Sequence, residues 1–344
     1  MITCVNLAAV VLFLGLVMYA VFGGADFGGG IWTALSSGPR KKEQREGLFH
    51  AIGPVWETNH VWLIFVVVTL FTAFPKGFAV ISTALVAPLV IALIGINFRG
   101  AAFAFRHFGK QTGREVPLVA RSFEISSILT PFALGMAVTA TATGRIVVAD
   151  GGVSAGTGTW LSPFTLMGGL VGLAICAYLA PVFMAVRTSG ELREDFRKRG
   201  MAASLVLGVL TTLAIPVAGL DAPLFAGRIT GPGALTVVAL AVILGISTLA
   251  LLWRRCFVTA QVSAAGTVAL TLAGFGAAMY PDLLIGQLSL AAAAAPGPTL
   301  TAFLTVLPIG TIILAPSLLF LYLTFRRDPD PDTRAGEQGD DENI

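Results

Sequence analysis

The feature that most constrains the fold of this chain is a series of apolar stretches, each long enough to cross a lipid bilayer. A spanning helix needs about 20 mostly apolar residues, because the hydrocarbon offers its backbone no other hydrogen-bond partners. The hydropathy of the sequence therefore predicts an all-α integral membrane protein with nine transmembrane helices. These helices are expected at residues 4–24, 54–74, 77–98, 119–142, 161–186, 201–220, 234–253, 257–279 and 301–325.

The composition agrees with this prediction, since 56% of the residues are hydrophobic and only 12% are charged, whereas soluble domains carry about 25% charged residues. The connections between the predicted helices are too short to hold a separate soluble domain. We therefore expect one polytopic transmembrane domain over residues 1–327. The last residues, 328–344, are rich in Asp, Glu, Pro and Gly, which is typical of a disordered acidic tail.

The Lys and Arg residues are distributed unequally between the two ends of the predicted helices. Of the 22 Lys and Arg residues, all but Lys76, Arg145 and Arg228 fall at the end where the odd-numbered helices finish. Cytoplasmic connections of membrane proteins carry the excess of positive charge. The sequence thus predicts an N-terminus outside the plasma membrane and a cytoplasmic C-terminus. Its basic pI of about 8.9 reflects this topology and not nucleic-acid binding.

The second predicted helix begins with a group of polar and aromatic residues. They are Trp56, Glu57, Asn59, His60 and Trp62. An ionised side chain at the centre of a membrane helix costs about 2.5–3.5 kcal/mol, so such groups are usually functional. We predict that Glu57 is a protonatable relay, with His60 one helical turn away. The alternative is a buried acid that only hydrogen-bonds to its neighbours and locks helices together.

A second acid, Asp26, lies in the glycine-rich segment Gly-Gly-Ala-Asp-Phe-Gly-Gly-Gly at residues 23–30. Glycines at this density allow close backbone approach or local unwinding. Because the first two predicted helices are antiparallel, we expect Asp26 and Glu57 at the same, cytoplasmic end. The alternative for Asp26 is a helix-end residue in contact with water.

Arg99, Glu124 and the two tryptophans are supporting candidates. Arg99 follows the third predicted helix, where it either supports a proton path or a partner contact, or only extends its charge to the interface. Glu124 lies three residues after Arg121, so an ion pair within one helix is expected. Trp56 and Trp62 either support the acid or belong to the aromatic belt of the interface.

The histidines bear on haem binding. A haem with two axial ligands needs them on facing helices. Of the three histidines, His50 falls at a surface end, His107 falls in a cytoplasmic connection, and only His60 falls within a predicted helix. We therefore expect this chain alone to bind neither haem nor another metal.

Two motifs carry a family resemblance. The first is Asp-Phe-Gly-Gly-Gly at residues 26–30, and the second is Ile-Gly-Pro-Val-Trp-Glu-Thr-Asn-His-Val-Trp-Leu-Ile at residues 52–64. Shorter matches follow at residues 98–99, 163–164 and 187–192. Together they resemble subunit II of the cytochrome bd-type quinol oxidases. The length and mixed chemistry of the second motif make the resemblance specific.

The resemblance implies a fold of two four-helix bundles plus one peripheral helix, in a bacterial plasma (inner) membrane. It also implies a larger partner, subunit I, which holds haem b, haem d and the quinol site. The complex oxidises quinol and reduces dioxygen to water with cytoplasmic protons. This chain is then the non-haem subunit, which stabilises subunit I and conducts protons toward the oxygen-reduction site. It also contacts membrane lipid, and the complex has room for a small single-span accessory subunit.

The resemblance also suggests roles for individual residues. It makes Glu57 the entrance of a cytoplasmic proton route, with Asp26 near it. Many relatives have Asp at the position of Glu57, and Glu keeps the charge with a reach longer by one methylene. Some relatives have an acid shortly after the arginine that corresponds to Arg99, where this chain has only Gly, Ala and Phe at residues 100–104. The continuation of the route therefore stays open.

Two other classes of protein are alternatives. A secondary transporter would show inverted repeats, a helix broken in the middle of the membrane, and charges near the bilayer centre. A membrane assembly scaffold would explain the apolar second half of the chain but not the acids of its first half. The position of the acids, at one end of the helices and in one half of the chain, favours the oxidase subunit.

Overall fold

The computed structural model describes residues 2–52, 56–111, 117–149 and 152–326. Almost all of these residues are helical. The helices are α1 (Ile2–Met18), α2 (Gly24–Ala34), α3 (Lys41–Ile52), α4 (Trp56–Ala73), α5 (Pro75–Ala84), α6 (Val86–Gln111), α7 (Pro117–Ala140), α8 (Pro163–Arg187), α9 (Gly190–Asp221), α10 (Pro223–Ile229), α11 (Pro232–Trp253), α12 (Phe257–Met279), α13 (Leu290–Ala293) and α14 (Gly297–Arg326).

The remaining regular structure consists of short pieces. A π-helix, Tyr19–Gly23, joins α1 to α2, and a 3₁₀ turn, Thr157–Thr159, precedes α8. Two small antiparallel hairpins pair β1 with β2 and β3 with β4. The strands are β1 (Val147–Ala149), β2 (Gly152–Ser154), β3 (Asp282–Leu284) and β4 (Leu288–Ser289).

Within the described residues, eight helices are long and apolar enough to cross a membrane. A ninth span results if α4 and α5, which meet at a bend of 119°, count as one. The prediction of an all-α protein with many membrane spans is confirmed. The eight helices cover Thr3–Ala34, Val86–Phe105, Pro117–Ala140, Pro163–Arg187, Gly190–Asp221, Pro232–Trp253, Phe257–Met279 and Gly297–Leu314.

The predicted third span, 77–98, is wrong in its bounds. Its first part belongs to α5, which has 10 residues and is therefore about 15 Å long, half the thickness of the hydrocarbon. Leu85 separates α5 from α6 with φ −112° and ψ 24°. The helix that can span begins only at Val86. Pro75 explains the bend before α5, because a proline keeps the preceding residue, Phe74, out of the helical conformation.

The first span is longer than predicted, because the chain stays helical through the glycine-rich segment to Ala34. Local unwinding of this segment is therefore wrong, and close backbone approach is right. A Cβ atom on Gly28 would lie 2.0 Å from the carbonyl oxygen of Cys176 on α8. One on Gly30 would lie 2.0 Å from Oγ of Ser127 on α7. The glycines thus let α2 pack directly onto α7 and α8.

A proline in α8 creates a further link to α2. Pro181 has no N–H, so the carbonyl of Ala177 loses its intrahelical donor. Nε1 of Trp32 on α2 donates to this carbonyl at 2.7 Å. The partly buried indole therefore satisfies a backbone group that α8 itself cannot pair, which fixes α2 against α8.

Ion pairs join the connections at each end of the helices. One end is here called the basic end. There, Arg40 of the α2–α3 connection pairs with Asp195 of α9, and Arg45 of α3 pairs with Glu124 of α7. Arg255 of the α11–α12 turn pairs with Glu194 of α9. At the opposite end, Arg145 pairs with Asp221 and Arg228 with Asp282. The connections that the cation distribution assigns to one side thus meet at one end; that this end is cytoplasmic stays a prediction.

Arg40 makes most of the contacts at the basic end. Its Nε and Nη2 atoms each donate to the carboxylate of Asp195 at 2.8 Å. Gln44, on α3, donates to the same carboxylate at 2.9 Å. The hydrogen bonds and the negative charge of Asp195 raise the pKa of Arg40 above its ordinary value, so Arg40 keeps its charge at every physiological pH.

The chain divides into two compact units, residues 1–301 and 302–344. The described part of the second unit is the α14 segment 302–326, which stays helical through Pro308 and Pro316. The boundary that composition predicts between the membrane domain and the tail lies later in the sequence, between residues 327 and 328. The predicted acidic tail, 328–344, lies outside the described residues.

We predict that Gly28→Ala destabilises the protein, because the new methyl group would overlap a backbone carbonyl that cannot move independently. Overpacking of this kind costs about 1–3 kcal/mol of unfolding free energy. Thermal unfolding in detergent, followed by circular dichroism, should show a lower Tm. Gly208→Ala on α9 is the control, since a Cβ atom there meets nothing within 4 Å. Equal Tm values for the two variants would contradict the close-approach interpretation.

Candidate functional site

A buried ion pair between α2 and α6 lies at the centre of the candidate site. Asp26 is 3% exposed and Arg99 is 2% exposed. Nη1 of Arg99 donates to Oδ2 of Asp26 at 2.9 Å, and Nη2 donates to Oδ1 at 2.8 Å. Nη2 also donates to the main-chain oxygen of Asp26 at 3.0 Å. This two-pronged geometry is the strongest arrangement of guanidinium and carboxylate, and it fixes both side chains.

The rest of the Arg99 guanidinium contacts α7 and two aromatic rings. Nε donates to Oγ of Ser127 at 3.0 Å, and Ser127 in turn donates to the carbonyl of Phe123 at 2.7 Å. The Cζ atom lies 4.8 Å from the ring centre of Phe27 and 4.9 Å from that of Phe123. Cation–π contacts of this kind gain strength when they are desolvated. The buried charge of Arg99 is therefore compensated on every side that the structure describes.

The burial of Arg99 rules out the alternative in which its side chain only extends its charge toward water. The break at Leu85 moves the spanning helix along the sequence, so Arg99 falls inside α6 and not after its end. The burial of Asp26 likewise contradicts the alternative of a water-exposed helix-end residue. Hydropathy could not predict either result, because the pair joins residues that are 73 positions apart in the sequence.

The first turns of α4 lie beside this pair. The ring of His60 makes an edge contact with Phe27, with 6.2 Å between ring centres. Asn59 is buried, at 7% exposure. Trp62 is partly buried and packs on the cluster of Tyr19, Phe27, Ile31 and Cys176. The structure thus brings Asp26, Arg99, His60 and Trp62 together around Phe27, and the buried Asn59 precedes His60 on α4.

Two predicted residues can be located only by their backbone. Trp56 and Glu57 form the start of α4, but their side chains lie outside the described residues. Glu57 precedes His60 by three residues, and positions at this spacing are neighbours on one helix face. The backbone therefore places Glu57 one helical turn before His60, closer to the N-terminus of α4.

Glu124 belongs to a different contact from the one predicted. Its carboxylate pairs with Arg45 on α3, whereas the sequence suggested Arg121 in its own helix. The rule for residues three apart considers only one helix, and the tertiary packing of α3 on α7 supplies the closer cation. Glu124 thus ties α3 to α7 at the basic end and is not part of the Asp26–Arg99 contact.

Several residues of the site were not predicted. Phe27, Phe123 and Ser127 surround the guanidinium, and Ser127 is fully buried. Pairs of small hydroxyl residues in a membrane helix, such as Ser126 and Ser127, are a signal of helix contacts that could have indicated them. Beside Phe27 lies a cavity of about 690 Å³ whose lining has hydroxyl groups but no charged side chain.

The described histidines do not form a pair of haem ligands. Among them, no group of three or more His, Cys, Asp or Glu side chains could hold a metal ion. His50 is exposed on α3, whereas His60 packs against Phe27. These two therefore do not offer a facing pair of axial ligands. The side chain of His107 lies outside the described residues.

The sequence profile of the family described as "Cytochrome bd terminal oxidase subunit II" matches residues 5–325. This chain belongs to that family. The resemblance that the motifs at residues 26–30 and 52–64 indicated is thereby confirmed. Membership also confirms that the chain is a multi-pass protein of the bacterial membrane.

Individual members of the subunit II family show how far the similarity extends. The chain is 30% identical over 213 residues to "Cytochrome bd ubiquinol oxidase subunit 2" of Bacillus subtilis, covering 62% of this chain and 60% of the relative. It is 28% identical over 203 residues to "Cytochrome bd-I ubiquinol oxidase subunit 2" of Escherichia coli K12, covering 58% and 53%. The matched region thus spans little more than half the length of these relatives.

The fold is similar to that of a chain in a structure described as "The structure of bd oxidase from Geobacillus thermodenitrificans". The TM-score is 0.79 at 22% sequence identity, and the match covers 94% of this chain and 98% of the other. At this identity the likeness concerns the fold alone. It agrees with the all-helical membrane architecture of the subunit II family.

We predict that Arg99→Met destabilises the protein by about 3–5 kcal/mol, because it leaves a buried carboxylate without its cation. The double variant Asp26→Leu/Arg99→Met should recover much of this loss, since it removes both charges. Thermal unfolding in detergent measures both variants. If the double variant were no more stable than Arg99→Met, the two side chains would not be energetically coupled.

Proposed function

We propose that this chain is the non-haem subunit of a bd-type quinol:dioxygen oxidoreductase, in which it stabilises a larger haem-bearing subunit I and conducts protons toward the oxygen-reduction site. The observation that carries this proposal is the family match over residues 5–325. The names of the two relatives, both subunits 2 of ubiquinol oxidases, support quinol as the substrate of the complex. The chain itself supplies helices and protonatable groups, and not the redox centres.

The proposed topology follows from the charge distribution. The basic end is the cytoplasmic side, so the N-terminus lies outside and the C-terminus inside. The bent pair α4–α5 counts as one span, which gives nine spans in two four-helix bundles plus one peripheral helix. Residues 1–327 form the membrane domain and 328–344 the acidic cytoplasmic tail. Haem b, haem d and the quinol site belong to subunit I, and lipid covers the remaining apolar surface.

Glu57 is the proposed proton entrance. It lies at the start of α4, one turn from His60, and Phe27 contacts both the ring of His60 and the guanidinium of Arg99. A carboxyl group in this position can take a proton from water at the basic end and pass it inward.

Asp26 has a different part in the proposed pathway. Both of its carboxylate oxygens accept hydrogen bonds from Arg99, so it is held as the partner of Arg99 in a fixed pair. Its role is to keep Arg99 in place and to balance its charge behind Glu57. The buried Asn59 and the partly buried Trp62 position the start of α4, and we propose the same for Trp56.

A secondary transporter is not favoured by the described part of the chain. Its broken helix would have to place charged groups at the break. The break between α4 and α5 lies at the end of α4 far from Glu57, and the adjacent Phe74 is fully buried in an apolar setting. The nearest charged residue in the sequence, Lys76, is exposed, so it does not line a site inside the protein.

We predict that Glu57→Gln lowers oxygen reduction and proton uptake by the co-expressed complex about 10²-fold, the lower range for loss of a positioned proton-transfer group. Haem content and the yield of the complex should stay unchanged. Glu57→Asp keeps a carboxyl group and should retain most of the activity. Glu191→Gln is the matched control, since Glu191 is an exposed acid at the same end.

Two results would overturn the proposal. Full turnover of Glu57→Gln would return Glu57 to a structural role. Purification of this chain alone with stoichiometric haem would contradict its place as the non-haem subunit of a larger complex.

A further inference from the structure

The turn between α11 and α12 brings positive charges together at the basic end. Arg254 and Arg255 in this turn are both exposed, and they directly follow the span that ends at Trp253. The helix α9 packs against α11, and its first turns reach the same place, since Glu194 of α9 lies 3.5 Å from Arg255. Cations from two separate parts of the chain thus meet at the membrane boundary.

The positive charges of this cluster exceed what its acid can balance. Glu194 already accepts hydrogen bonds from Nε of Arg197, which lies 2.9 Å from both carboxylate oxygens. Arg255 reaches one of these oxygens only at 3.5 Å, and its side chain is 68% exposed. Within the described part of the chain, neither Arg254 nor the exposed Lys198 of α9 forms a salt bridge. Three cations therefore remain available to an anion from outside the chain.

The backbone of Arg255 has a conformation that glycine adopts more easily. Its φ is 61°, and its amide donates to the carbonyl of Leu252 at 3.1 Å. The amide of Cys256 donates to the carbonyl of Leu251 at 2.9 Å. These two bonds form a common helix ending in which the left-handed residue is usually glycine. The backbone therefore does not explain an arginine here, and its side chain must.

Exposed apolar side chains lie next to these cations. Trp253 is 69% exposed at the end of its span, where tryptophan side chains typically anchor a helix in the bilayer. On α12, Val258 and Val262 are 64% and 70% exposed, and their spacing of four residues puts them on one helix face. Since this span begins at Phe257, the two valines lie just inside the membrane boundary. A ligand that covers the whole patch needs an anionic group with apolar chains beneath it.

We propose that Lys198, Trp253, Arg254 and Arg255 form a binding site for one anionic phospholipid, here called the anionic-lipid site. Guanidinium groups donate paired hydrogen bonds to phosphate oxygens, and basic groups between membrane helices suit anionic lipid headgroups. The acyl chains lie on the two exposed valines of α12. A soluble phosphate compound would leave these valines and the indole uncovered, so the patch favours a lipid. The inference needs only that the chain resides in a membrane and does not depend on proton transfer.

The test measures binding of phosphatidylglycerol to the delipidated, co-expressed complex by native mass spectrometry. Arg254→Gln/Arg255→Gln should bind this lipid about 10-fold more weakly than the unmodified complex, because two charges near the headgroup are lost. Binding of zwitterionic phosphatidylcholine should be the same in both. Lys41→Gln/Lys42→Gln is the matched control, since it removes two exposed cations of α3 at the same end and should leave phosphatidylglycerol binding unchanged.

Two further variants separate lipid binding from folding and locate the lipid. Arg255→Gly removes one charge but suits the backbone of the turn, so it should weaken phosphatidylglycerol binding while the Tm in detergent does not fall. Phosphatidylglycerol with brominated acyl chains should quench tryptophan fluorescence in the unmodified complex. This quenching should be smaller in Trp253→Phe, because the bromine atoms lie near that indole.

Several results would overturn the anionic-lipid site. One is equal phosphatidylglycerol binding by the unmodified complex and by Arg254→Gln/Arg255→Gln. An equal loss in Lys41→Gln/Lys42→Gln would show a general attraction of anions to the basic end. Displacement of the lipid by the same concentration of glycerol phosphate would show a site for a soluble anion. Absence of any preference for phosphatidylglycerol in the unmodified complex would show that the turn is covered by subunit I.

Discussion

The arrangement of the first half of this protein depends on one buried interaction, the two-pronged pair of Arg99 with Asp26. A charge taken out of water is tolerated only when its partners replace the lost solvation. That requirement explains three features here. The glycines of α2 allow α7 to approach, and Ser127 accepts the hydrogen bond of Nε of Arg99. The rings of Phe27 and Phe123 lie against the guanidinium. The pair therefore determines how α2, α6 and α7 meet.

Hydropathy and motif were sufficient for the class of fold and for the family, because both depend on residue types along the chain. Hydropathy failed at the border between α5 and α6. Leu85 interrupts the helix although it is as apolar as its neighbours. The signal for the break is Pro88, which lies in the first turn of α6 and cannot continue the hydrogen bonding of α5. The same error placed Arg99 after the end of its helix and not inside it. A scale that measures residue content cannot detect a change of backbone direction inside an apolar stretch.

The candidate site was predicted in part. Asp26, Arg99, His60 and Trp62 do lie together, but the sequence could not show which residues pair. Rules for neighbours in one helix proposed Arg121 for Glu124, and the fold supplied Arg45 from another helix. The hydroxyl residues of α7 were missed, because Ser and Thr are common in membrane helices. Their meaning depends on what faces them: Ser127 bonds to the guanidinium of Arg99, and Thr130 packs closely against Gly95.

The π-helix at Tyr19–Gly23 gives the first span two faces with different neighbours. Before it, α1 packs against α4, and after it, α2 packs against α7 and α8. A π-turn accommodates one more residue than an α-turn, and each residue of a helix advances the side chains by about 100°. Removing a single residue here would leave the span helical but rotate Asp26 away from Arg99. The orientation of Asp26 toward Arg99 thus depends on the number of residues in the π-helix, and a change of one residue would alter it.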